Sequence, residues 1–346
     1  MFREASLIFR LLPPMCTAFL VLAFATVITT DLAHSADVVE LKVSHYLPPN
    51  HTFQKALVRW GEELEKASGG RLKLRIYPAS QLGPVNRQFD LVRNGVADIA
   101  VGLHGATPGR FPLSDLVSLP YVHPSSGSQS EITSHRLTEL APKYLAAEHP
   151  GMKILWMAVT NPLLVHTGRV PLKSADDLKG LRIRYAGEQF AAIISTLNAV
   201  PLAIPPGETQ DALAKGIIDG CTFPYEAAQS FDLGTVAKYS QEPGISTASF
   251  AVVMNQRKFD SLPPDLREII ESTTGVAQAG RFGAAFDAAE QAGRDYMISK
   301  GVQITTLAPD ELAKIKTRLE PITLKSVEAL EKQGKSARAF LGDYQR

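Results

Sequence analysis

Two stretches of this chain repeat one local design. Leu91-Val92-Arg93-Asn94-Gly95-Val96-Ala97-Asp98 and Ala212-Leu213-Ala214-Lys215-Gly216-Ile217-Ile218-Asp219 each run from helix-forming residues through a glycine into an apolar segment. A glycine that takes positive φ stops a helix, and the apolar residues after it read as a buried strand. One such joint is common in α/β proteins. Two, one in each half of the chain, predict two similarly built lobes of helices and largely parallel strands. The flanking sequence agrees. Val39, Leu41 and Val43 alternate as a strand, Phe53, Ala56, Leu57, Trp60, Leu64 and Ala67 fall at helical spacing up to Gly69-Gly70, and Leu72, Leu74 and Ile76 alternate again before Pro78.

The last third reads as helix. Leu266 to Ser299 lacks proline and is rich in alanine, while Gly275, Gly280 and Gly283 weaken it, which predicts a long helix with a bend or break. Two amphipathic helices are expected at Pro309–Leu319 and Thr323–Gln333. No low-complexity linker interrupts the chain, so the lobes are expected to pack closely through crossing strands. The expected division is 36–161 plus about 251–290 for the first lobe and 162–250 plus about 291–346 for the second.

The N-terminus is a separate object. Arg3 and Arg10 precede an uncharged apolar run from Met15 to Thr29, and Ala33-His34-Ser35 is a small-x-small cleavage site. This reads as a cleavable secretory signal peptide over residues 1–35, its apolar part short for a membrane span; an uncleaved anchor is the alternative. Pro13-Pro14-Met15 before Cys16 does not resemble a lipoprotein box. Cleavage removes Arg3, Arg10, Glu4 and Asp31, so the net charge stays +1. A nearly neutral chain offers nothing to nucleic acid or an anionic membrane surface. Only Cys221 then remains, which leaves no internal disulfide and reads as a small buried side chain.

Enzyme motifs are absent: no phosphate-binding loop, no HExxH, no G-x-S-x-G, no G-x-G-x-x-G after a strand. The histidines lack metal-ligand spacing, and neither a metal nor another cofactor is expected. His45 and His51 flank Pro48-Pro49 and read first as a surface loop, with lining a cleft as the alternative. His104 follows the apolar strand Val96–Gly102, and Phe223, Pro224, Tyr225 and Glu226 follow the matching strand of the second lobe. Carboxyl ends of strands are where α/β sheets place ligands, so His104, Phe223 and Glu226 are candidates, with Tyr46 after the first strand. An exported enzyme of small acids, with His104 or Glu226 as base, is the competing class.

Between Lys173 and Gly187 the chain reads KSADDLKGLRIRYAG. With a period of two, Arg182, Arg184 and Ala186 share one strand face, and Leu181, Ile183 and Tyr185 share the other. Spacing alone leaves a solvated face and a binding face equally open.

Asp176–Arg184, DDLKGLRIR, resembles the DLKGLKIR segment of solute-binding proteins of TRAP transporters, the DctP-like family. Glu208, Asp211-Ala212-Leu213, Gly216 and Asp219-Gly220 resemble a second family segment. Ser68-Gly69-Gly70-Arg71, Gln81-Leu82-Gly83 and Gly95-Val96-Ala97-Asp98-Ile99 follow in family order. The resemblance implies a periplasmic, probably monomeric-acting binding protein with two α/β lobes, a ligand cleft between them and a long helix crossing both. It implies an organic acid ligand and the membrane permease subunits of a TRAP transporter as partners; presentation to a sensor kinase is the alternative. It assigns Arg184 to the ligand's carboxylate and Arg182 to solvent or a surface ion pair. Arg169 lies near a second basic position of some members, its spacing to Arg184 one residue longer. Where many members have QENP, this chain has Cys221-Thr222-Phe223-Pro224, and Gly109-Arg110-Phe111-Pro112-Leu113 with Thr222–Glu226 resembles a subgroup with GRFPL and TFPxE segments. Phenylalanine in place of a hydrogen-bonding asparagine points to an apolar or aromatic monocarboxylate, or a 2-oxo or 2-hydroxy acid. A C4-dicarboxylate, with Phe223 in the core, is the alternative.

Overall fold

The computed structural model describes residues 38–185 and 187–346; the expected signal peptide lies outside them. The chain first lays down β1 (Val39–Ser44), α1 (Thr52–Ala67), β2 (Leu72–Tyr77), α2 (Gln88–Arg93), β3 (Ile99–Leu103), α3 (Ser130–Tyr144) and β4 (Met152–Val159). A second set follows: β5 (Leu163–Thr167), β6 (Arg182–Arg184), α4 (Glu188–Thr196), β7 (Val200–Leu202), α5 (Thr209–Ala214), β8 (Gly220–Phe223), α6 (Tyr225–Ser230) and β9 (Tyr239–Ser246). The rest is β10 (Ser249–Asn255), α7 (Gln256–Asp260), α8 (Pro264–Thr273), α9 (Gly275–Ser299), β11 (Gln303–Thr306), α10 (Pro309–Lys332) and α11 (Ala337–Gln345).

Two sheets carry the two lobes, in the orders β2-β1-β3-β10-β4 and β11-β9-β5-β8-β6-β7. Both are mixed. β1 pairs in parallel with β2 and β3, and β6 with β7 and β8, but β10 and β5 run antiparallel to their neighbours. The antiparallel strands are the ones that enter directly from the other sheet. A strand arriving that way needs no helical crossover and is free of the parallel rule.

The repeated joint is real in three dimensions. Gly95 and Gly216 both take positive φ, 74° and 68°. Asp98 accepts the Lys42 backbone N–H through Oδ2 at 2.8 Å, and its own N–H donates to the Lys42 carbonyl. Asp219 does the same with Arg182, at 2.9 Å. The two aspartates thus clamp equivalent neighbouring strands, and the register pairs Val43 with Ile99 and Ile183 with Gly220. By that equivalence Arg184 occupies the place that Ser44 holds in the first lobe.

The predicted long helix breaks at Thr274–Gly275, where Gly275 has φ 76°. The longer piece, α9, packs on α3 and β4 of the first lobe and on α6 of the second. Gly283 and Gly293 make this possible: a Cβ at Gly283 would overlap the backbone of Glu131, and one at Gly293 the backbone of Tyr225. The two C-terminal helices expected from the sequence are one, α10, which runs through Pro321. The last helix, α11, buries Ala337, Phe340, Leu341 and Tyr344 in a core with Phe89, Phe111 and Leu137 of the first lobe. This end of the chain, within the expected 291–346 share of the second lobe, thus packs on the first. Periodicity defines an amphipathic face but not which lobe covers it.

Candidate ligand-binding site

The carboxyl ends of β1, β3, β6 and β8 converge between the lobes. There, β6 sits between β7 and β8, with Arg184 opposite Leu202 and Cys221. Arg184 is only 2 % exposed. Its Nε–H donates to the Ile204 carbonyl at 3.1 Å and Nη1 to the Thr222 carbonyl at 3.2 Å. The guanidinium carbon lies 4.3 Å from the ring centroid of Phe223. Among the described residues no carboxylate forms an ion pair with it, and Nη2 makes no hydrogen bond. Burial pulls its pKa down to about 10, opposed by Cys221 and Tyr46, so it is a cation at neutral pH. A buried cation held by carbonyls and a ring retains most of its attraction for an anion.

Arg182 has the opposite fate. Its side chain is 43 % exposed and forms a fork with Asp219, Nε to Oδ2 and Nη2 to Oδ1, both 2.9 Å. Alternation puts both arginines on one side of the strand, yet they sit at its two ends. Position along the strand, not face, separates the solvent ion pair from the buried charge. Cys221 is fully buried, its thiol pushed up to about 12 by burial despite Arg184, which makes it an inert packing group.

Arg184 lines a small cavity of about 40 Å³ whose other walls include Tyr46, Phe223, Phe231, Phe250 and Phe286, with His51 and Glu226 as the remaining charged or titratable groups. Tyr46 and Phe250 come from the first lobe, Phe223 and Phe231 from the second, and Phe286 from α9. Burial raises the Tyr46 phenol, Arg184 opposes this and Glu226 adds to it, so the ring feels both charges. His166 holds the strand end below: its Nε2 lies 3.0 Å from the Phe223 carbonyl and Nδ1 2.7 Å from Ser240 Oγ.

Glu226 ties the lobes together. Its Oε1 accepts from the Thr52 N–H (2.9 Å), Thr52 Oγ1 (2.6 Å) and Ser230 Oγ (3.3 Å). His51, expected on a surface loop, is instead the buried N-cap of α1. Its Nδ1 accepts the Phe53 N–H at 3.2 Å, and Nε2 lies 3.3 Å from Glu226 Oε2. The signal for it was its place just before the helical period, at an N-cap position that histidine seldom fills. Burial lowers the His51 pKa, partly offset by Glu226. Glu290 of α9 accepts the N–H groups of Tyr225 and Glu226 at 2.9 Å each, which fixes the start of α6.

Of the residues expected here, Tyr46, Arg184, Phe223 and Glu226 come together. Two do not. His104 is fully buried in the first lobe between Phe89 and Phe111, 3.1 Å from His149 Nε2 and 3.0 Å from Ser249 Oγ. Leu103, one residue earlier, lines the cavity. Arg169 is exposed beside Gly216 and Asp219. Because β5 runs antiparallel to β8, its end lies at the far side of the sheet from Phe223. A larger depression, about 830 Å³, opens on the first lobe, but its Arg93 and Arg110 both pair with Asp90. A buried arginine with no carboxylate partner among the described residues makes the smaller cavity the candidate site.

Two α/β lobes around an interlobe cavity with a buried arginine define a cleft-type binding protein. The chain belongs to the bacterial extracellular solute-binding proteins of family 7, whose pattern matches residues 43–330, and it is a TRAP-type periplasmic solute-binding protein. A TRAP solute-binding protein from Rhodoferax ferrireducens, solved with copurified benzoate, is 29% identical with a TM-score of 0.84, over 89% of this chain and 96% of that one. One from Bordetella bronchiseptica with bound (R)- and (S)-mandelate is 29% identical with a TM-score of 0.82, over 88% and 97%. The outer membrane transporter protein TsaT of Comamonas testosteroni is 25% identical over 313 residues, 89% of this chain and 90% of that protein. No helix among the described residues is long and apolar enough to cross a membrane.

Proposed function

We propose that this protein, exported by a cleavable signal peptide over residues 1–35, captures a monocarboxylic acid with an aromatic or otherwise apolar body and delivers it unchanged to the membrane permease of a TRAP transporter. The observation that carries this is Arg184: a buried guanidinium stacked on Phe223, with no carboxylate partner among the described residues. A guanidinium fork donates two parallel hydrogen bonds to a carboxylate, and Nη2 with the second N–H of Nη1 are left for it. Tyr46, Phe223, Phe231, Phe250 and Phe286 suit a ring by stacking and dispersion. Benzoate and mandelate in the two similar solved proteins support the same class.

About 40 Å³ of cavity is room for roughly three waters. A ring acid therefore enters only when the lobes part, and the crossings from β4 to β5 and from β9 to β10 are the places to bend. Closure then excludes water and strengthens the ion pair. Thermal-shift screening against organic acids tests the reading. Benzoate, mandelate or a related monocarboxylate at 100 times its Kd adds about 2.7 kcal/mol to stability. Sugars, amino acids or dicarboxylates as the only hits overturn it, and so does an acid recovered chemically altered.

A further inference from the structure

We infer that the captured acid carries a hydroxyl group, and that Glu226 with His51 beside it selects for that hydroxyl. The inference rests on reading the cavity as the acid site. Glu226 is 2 % exposed and lines the same cavity as Arg184. Its two oxygens are treated differently. Oε1 accepts three hydrogen bonds, from Thr52 N–H, Thr52 Oγ1 and Ser230 Oγ. Oε2 is buried with no donor aligned on it among the described residues; His51 Nε2 is 3.3 Å away but off the hydrogen-bond line.

A buried acceptor left open is uncommon and unfavourable, and it is relieved by any group that brings a donor. The neighbouring imidazole defines what kind of group. Nδ1 of His51 accepts the Phe53 N–H, so in the neutral ring the proton sits on Nε2. Nε2–H and Oε2 thus form a donor and an acceptor side by side on the cavity wall. A hydroxyl answers both, donating to Oε2 and accepting from Nε2–H. A second carboxylate does not, because it has no proton to give and repels Glu226. Tyr46 feels both Arg184 and Glu226, so the cationic and acceptor poles belong to one small space. The arrangement selects an acid with its carboxylate at Arg184 and a hydroxyl toward Glu226, and it rejects dicarboxylates. A site with buried polar groups discriminates strongly against an analogue that leaves them unpaired.

The test is isothermal titration of pairs that differ by one hydroxyl: benzoate against each of the three hydroxybenzoates, and phenylacetate against mandelate. At least one hydroxy acid is expected to bind tenfold or more tightly than its parent, with phthalate weaker than benzoate. In Glu226→Gln the ratio of hydroxy-acid to parent affinity is expected to fall below about threefold, whatever happens to the parent affinity itself. His51→Asn, which keeps a capping oxygen for Phe53 N–H, is expected to erode the same advantage, with melting curves confirming that both variants fold. Parents that match every hydroxy partner, or an advantage that survives in Glu226→Gln, overturn the inference and leave the acid site standing. Failure of every acid to bind overturns both.

Discussion

The guanidinium of Arg184 lies over the face of Phe223, 4.3 Å from the ring centroid. A desolvated cation–π contact contributes about 2 kcal/mol, against a burial penalty of several kcal/mol for an ion of this size. The ring orients the fork and eases its burial without neutralising it. Electrostatic compensation is thereby left to whatever enters the cavity.

Removing that charge is expected to separate stability from binding. Arg184→Met takes away an unpaired buried cation, so the ligand-free protein should keep its stability or gain about 1–3 kcal/mol. Its affinity for the acid should fall more than a hundredfold, a loss of about 3–5 kcal/mol. Calorimetric melting and titration on the same preparation read both. Acid affinity within threefold of the original sinks the assignment of Arg184.

Arg182, two residues away, should behave in the opposite manner. Its fork with Asp219 is solvent-exposed and screened, so Arg182→Ala should lower the melting temperature slightly and leave acid affinity within about twofold. Asp219→Ala should do more harm, because Oδ2 also holds the Arg182 backbone N–H. A large affinity loss in Arg182→Ala would place that side chain in the site.

The glycines of α9 are not equivalent. Gly293 touches the backbone of Tyr225, whereas the nearest atom to a Cβ at Gly280 is His135 Cδ2 at 3.9 Å. Gly293→Ala should destabilise the fold by about 1–3 kcal/mol through overpacking and weaken binding by displacing α6 with Glu226. Gly280→Ala should stabilise by roughly 0.5–1 kcal/mol through helix propensity. Thermal melts rank the two directly; equal effects would refute the close approach.

Stability should depend on pH through buried groups of opposite sign. Burial pulls His45, His149 and His166 down to about 4 and lowers His51 and His104 as well. Unfolded histidine titrates near ~6.5. Each therefore adds stability that is present above that value and lost as pH falls toward 4. Asp115 and Glu290 are raised to about 7, chiefly by burial; their stabilisation is full at low pH and lost as pH rises to 7. Five imidazoles against two carboxyls predict a net fall in melting temperature from pH 6.5 to 4. Asp115→Asn should steepen that fall and raise the melting temperature at pH 7.5, since it removes a desolvated charge facing Glu148 and Glu188. A flatter profile in the variant would contradict the sign.

Much of this was legible in residue order. Gly95 and Gly216, with Asp98 and Asp219, announced the repeated joint, and the strand-end rule drew Tyr46, Phe223 and Glu226 to one place. The same rule failed at His104 because a one-residue step at the end of β3 turns the side chain from the cavity into the core. Arg169, drawn in by the family resemblance, lies away from the cavity because β5 runs antiparallel to β8. His51 was misplaced because a turn of Pro48-Pro49 looks exposed until Glu226, far along the chain, covers it.

Residue order alone determined the glycine stops at Gly95 and Gly216, the strand alternation and the presence of two arginines on one short strand. Only the tertiary structure decided that Arg182 meets Asp219 in solvent while Arg184 is buried against Phe223, with no carboxylate beside it among the described residues. The reason is physical: alternation and propensity act between near neighbours in sequence. Burial and charge compensation depend on what distant strands and the opposite lobe bring to the same point in space.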